Sequence, residues 1–93
     1  MADYIEHGID RRILKQLVAA HCIKRVVLLG TATENKILYS AQIELKTSPL
    51  KHHVTGKNGE KRVWALAGHA LDFLFKLGIS EIDVIFVNGA HNE

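Results

Sequence analysis

Ile37-Leu38-Tyr39-Ser40-Ala41-Gln42-Ile43-Glu44-Leu45-Lys46 is the stretch that decides the fold of this chain. Ile37, Tyr39, Ala41, Ile43 and Leu45 alternate with Leu38, Ser40, Gln42, Glu44 and Lys46. A period of two sustained this long makes a strand, with one row of side chains on a core and the other in water. Just upstream, residues 25–30 read Arg-Val-Val-Leu-Leu-Gly, an apolar, β-branched run that fits a strand buried on both faces or nearly so. The turn residues Thr33-Glu34-Asn35-Lys36 join the two runs into a hairpin. Further upstream, Ile9, Ile13 and Leu17, with Leu14 and Val18 beside them, recur at helical spacing over residues 10–22. Asp10 is placed to cap that helix, and Arg11, Arg12, Lys15 and Gln16 face water.

Downstream, Pro49 cannot donate to a ladder, so the chain leaves the sheet there. Residues 51–55 suit a brief edge strand, and Gly56-Lys57-Asn58-Gly59 a turn. The spacing predicts a second helix over 61–77, apolar over most of its circumference except a stripe of Arg62, Ala65, His69, Asp72 and Lys76. Gly78 ends it as a left-handed cap, and residues 81–87 form the last strand. The expected fold class is α+β: a small, mainly antiparallel sheet of about three to five strands with two helices packed on one face, in the order α-β-β-(β)-α-β. A strand at Asp3-Tyr4-Ile5-Glu6 would turn this into a split βαβ arrangement, but that segment is short and acidic.

Composition sets limits on function. The 93 residues fit one domain, and 47% hydrophobic content supports a core. A net charge of +2 is no polycation, so any case for nucleic acid rests on local clustering. A single cysteine, Cys22, forms no internal disulfide and suits a reducing compartment. Met1 to Glu6 lacks the basic start and apolar run of a signal peptide, and no stretch approaches the length of a membrane span. A cytoplasmic protein is expected.

The charge is clustered. Lys46, Lys51, Lys57, Lys61 and Arg62 gather with His52 and His53 against one acid, Glu60, around an expected basic loop at 47–60. A mobile cationic segment attracts anions through its field. The expected function is therefore a small, non-enzymatic binding or regulatory module that presents this loop to an anionic partner such as nucleic acid or an acidic protein. Its contacts are Lys51, His52, His53, Lys57, Lys61 and Arg62, the histidines adding pH sensitivity near neutrality. Three strands followed by Gly56-Lys57-Asn58-Gly59-Glu60-Lys61-Arg62 and an Ala-rich helix resemble the second half of a double-stranded-RNA-binding domain. The resemblance implies that Lys57, Lys61 and Arg62 lie over phosphates across a groove.

An enzymatic alternative rests on Glu44 and Lys46, which project from one strand face. Glu44-Leu45-Lys46 resembles the Glu-x-Lys half of the restriction-endonuclease-like nucleases, which implies a carboxylate holding Mg²⁺ beside a lysine that orients water. The preceding strand supplies no second acid. Neighbouring His52 and His53 point to opposite strand faces, and no pair has ligand spacing, so neither metal nor cofactor is expected. Cys22 closes a helix, where the dipole raises a thiol pKa, and reads as structural. Surplus apolar surface on helix 61–77 and strand 81–87 predicts self-association, most simply as a twofold dimer. A purely structural oligomer without ligand is the remaining alternative.

Overall fold

The computed structural model describes residues 7–88. Asp3 to Glu6 lies outside the described residues. The elements are β1 (His7–Ile9), α1 (Arg11–Ala19), β2 (Ile23–Ala32), β3 (Ile37–Leu45), β4 (Lys51–Val54), α2 (Ala67–Lys76) and β5 (Asp83–Val87). They form one five-stranded sheet in the order β1-β4-β3-β2-β5 with two helices, an α+β fold.

The alternating stretch pairs with the apolar run as its pattern requires. Val26 faces Ile43, Leu28 faces Ala41 and Gly30 faces Tyr39 across the β2–β3 hairpin. Those positions, with Val54 of β4 and Ile9 of β1, make the inner face. The sheet is mixed: β3 runs against β2 and β4, whereas β1 runs with β4 and β5 runs with β2. Parallel neighbours need crossovers. α1 carries the chain from β1 to β2, and α2 carries it from β4 to β5, both stepping the same way along the sheet. Crossovers of this kind are right-handed, which sends both helices to one face. Leu14 of α1 and Ala70 and Leu74 of α2 accordingly share a single core cluster with Val26, Leu28, Ala41 and Ile43.

Asp10 caps α1, accepting from the Ile13 amide at 2.9 Å. The helix ends with His21 at φ 58°, its amide donating to Val18 and that of Cys22 to Leu17. A left-handed closure of this type normally takes glycine. α2 closes the same way on Gly78, at φ 98°, as the sequence predicts.

Three expectations are corrected. β4 is interior, flanked by β1 and β3, and is not an edge strand. The basic stretch is thus no single loop, because Lys51, His52 and His53 lie in the sheet. The second helix begins at Ala67, not near residue 61. Residues 61–64 are extended instead. Lys61 bridges Thr55, the Arg62 amide donates to Val54 at 2.8 Å, and Trp64 exchanges two 2.8 Å backbone bonds with Tyr39. β3 outruns β4 at this end, so the Tyr39 backbone needs a partner, and a buried peptide group left unpaired is costlier than a lost helical turn. Trp64 is then buried against Phe73, with ring centroids 5.3 Å apart.

Leu74 is fully buried and His69, on the same helix, is exposed. Leu74→Ala should lower unfolding free energy by about 2–5 kcal/mol in urea denaturation, and His69→Ala by less than about 0.5 kcal/mol.

Candidate anion-binding face

Because both helices cover one face, no helix among the described residues lies on the other face of the sheet. Strand alternation decides which side chains stand there. Gln42 pairs with His53, and Glu44 with Lys51, so these four share the uncovered face. The hairpin formed by Thr55 and Lys61 returns the chain beside β4 and adds Lys61. Ser40, Gln42, Lys51, His53 and Lys61 surround a cleft of about 50 Å³ over Leu29. That is room for a few water molecules or part of a phosphate group.

The six expected contacts therefore divide. Lys51, His53 and Lys61 converge. His52 also borders the cleft, but it lies opposite core residue Ile43 in register, so strand alternation turns its side chain toward the helix side. Lys57 sits at the exposed tip of the 56–59 turn, where Gly59 takes φ 80°. Arg62 also turns to the helix side, its guanidinium carbon 5.2 Å from the Trp64 ring centre and 4.9 Å from that of Phe73. A cation over two ring faces is held there by their quadrupoles. Ser40 and Gln42 went unnoticed in the sequence, although the alternation that places Glu44 in water places them on the same face.

A second cluster lies further along this face. Arg25 of β2 stands between two acids: its Nε lies 2.6 Å from Asp83 Oδ2, and its Nη1 lies 3.6 Å from Glu44 Oε2. The hydrogen bond to Asp83 is the main reason the guanidinium is held above its ordinary value, with Glu44 adding to it. Parallel pairing of β2 with β5 sets Asp83 opposite Val27, two residues along from Arg25. Lys46 lies at the neighbouring cleft of about 380 Å³ with His21, Lys24, Arg25, Glu81 and Asp83. β5 thus brings a second carboxylate, Asp83, to the guanidinium that Glu44 also approaches. Arg25 occupies the position between the two acids, where a shared cation would sit. Among the described residues no group of three His, Cys, Asp or Glu side chains is placed to hold a metal. Cys22 is half-buried and its Sγ lies 3.7 Å from the Ala20 carbonyl.

Comparison with protein-family models, curated proteins and solved structures finds no match. Among the described residues no helix is long and apolar enough to cross a membrane.

Millimolar Mg²⁺ should leave the side-chain carboxyl NMR signals of Glu44 and Asp83 unmoved, because the Arg25 guanidinium already stands between them. Signals that shift and saturate with Mg²⁺ would show the ion displacing Arg25.

Proposed function

We propose that this protein is a non-catalytic binding module that takes the phosphate backbone of a nucleic acid on its uncovered sheet face. One observation carries the reading: Lys51 and His53 of β4 and Lys61 of the adjoining hairpin border a single cleft with Ser40 and Gln42 of β3 as neutral hydrogen-bonding neighbours. Two ammonium groups supply attraction to an anion, and the hydroxyl and amide supply donors that fix its position. The cations stand on a paired strand and a closed hairpin, so little ordering entropy is lost when a ligand arrives. Among the described residues no Phe, Tyr or Trp borders the cleft, which favours backbone contact over base stacking. The acidic-protein alternative uses the same charges but has less use for Ser40 and Gln42.

The nuclease reading is weaker on this geometry. Both of its carboxylates are engaged by Arg25. A protein acting through them would need that guanidinium to leave first.

Filter binding with duplex DNA, duplex RNA, single strands and polyglutamate, each at two salt levels, tests the proposal. Contact with two or three phosphates should lose roughly 10- to 40-fold in affinity between about 50 and 200 mM salt. The double substitution Lys51→Glu with Lys61→Glu should abolish retention, whereas Arg62→Ala should leave it intact and lower thermal stability instead. Retention of polyglutamate alone would point to an acidic protein. An affinity indifferent to salt, or to the double substitution, would remove this face from the contact.

A further inference from the structure

The sheet ends very differently on its two sides. β1 is three residues long and contains a glycine. β5, Asp83-Val84-Ile85-Phe86-Val87, is apolar after its first residue, and every one of its residues is exposed. Among the described residues no strand pairs with its outer side. It carries no lysine, proline or glycine, the devices by which sheet edges usually repel other strands. Register with β2 puts Val84 and Phe86 on the helix side and Ile85 and Val87 on the uncovered side.

α2 extends the same surface. Phe73 turns toward Trp64, on the β4 side of Tyr39. Leu71 and Phe75 stand on the opposite flank by helical spacing, facing the β5 side. Phe75 is 71% exposed and Phe86 61% exposed. With Leu71, Val84, Ile85 and Val87, the open apolar area is on the order of 500 Å² per chain, taking rings at about 150–250 Å² each. Such a patch is at the upper end of what single soluble chains leave uncovered.

We infer that this surface is a homodimer interface, in which β5 pairs antiparallel with β5 of a second copy about a twofold axis at Ile85. A free strand edge offers unpaired amides and carbonyls that only another strand satisfies in full. Centred on Ile85, the strand is its own complement. Ile85 faces the partner's Ile85 and Val84 faces the partner's Phe86, so the centre of the pairing is apolar on both faces, and Val87 faces the partner's Asp83 at either end. The two copies of Asp83 fall at opposite ends of the pairing, each beside its own Arg25, and like charges do not meet. The axis brings the Leu71–Phe75 flanks of both α2 helices over the joined strands. Burying both patches and both edges covers on the order of 1,000 Å² or more, the lower bound for a specific interface.

Residues 1–6 and 89–93 are poor substitutes. Residues 89–93, Gly-Ala-His-Asn-Glu, contain no large apolar side chain. Residues 1–6 precede β1 at the far edge, four strand spacings or about 19 Å away, close to the full reach of six extended residues.

Light scattering coupled to gel filtration, run from low micromolar to millimolar concentration, tests the inference. The wild-type chain should show twice the monomer mass. Ile85→Lys and Ile85→Asp should each halve that mass while far-UV circular dichroism stays unchanged, because each sets two like charges face to face. Mixing the two variants should restore the dimer. Should Ile85→Lys fail to fold, Phe75→Glu on the helix surface should halve the mass in its place. A wild-type monomer throughout the range overturns the inference, including one that binds some other strand. So does a dimer that survives both Ile85→Lys and Phe75→Glu, or a mixture of the charged variants that stays monomeric.

Discussion

Among the described residues β3 is the only strand that runs against the rest, and the architecture follows from that. With β3 between β2 and β4, the four other strands point one way. The chain then reaches β2 and β5 only through crossovers. Both step in one direction and both are right-handed, so the two helices come to lie together. Two helices cover the middle of one face of a five-stranded sheet. What they leave over is a bare opposite face and a bare strand, and these are the two surfaces of interest on this molecule.

Much of this was legible where the signal was local. The alternation of residues 37–46, the spacing of Leu14, Leu17 and Val18, the Asp10 cap and the Gly78 closure are each set by neighbours a few residues apart. The misreadings lie where a distant partner decides. Val63, Trp64 and Leu66 fit a helical pattern, yet the Trp64 backbone is claimed by Tyr39 across the sheet. Lys51, His52 and His53 have the composition of an edge, and β4 is interior only because three residues near the start, His7–Ile9, dock alongside it. A strand so short, with a glycine at its centre, leaves almost no trace in a pattern search. Gly8 is there for a steric reason: a methyl group at that position would collide with the Thr55 side chain.

The charge cluster was visible as composition but not as geometry. Whether neighbouring cations act together depends on strand parity, which sends Lys51 and His53 to one face and His52 to the other. The same parity separates Lys61 from Arg62. A stretch that looks basic over some seventeen positions thus resolves into one convergent group, one tip residue, Lys46 at the neighbouring cleft, and two side chains turned to the helix side. The Arg25 cluster lay beyond reach for another reason. Its three members come from three strands, and their meeting depends on the parallel register between β2 and β5, which no spacing rule encodes.

The parallel pairings also bear on how the chain reaches this state. The β2–β3 hairpin closes over a short turn, whereas β5 must find β2 across a span that brings Asp83 to Val27. Closing long loops is entropically unfavourable until the contacts form, so local hairpins assemble early and such pairings late. The last strand to dock is therefore the greasiest one, and until it docks both its margins are available. During refolding at high protein concentration, capture of this late strand by a neighbouring molecule competes directly with its own closure, and dilution favours the native outcome.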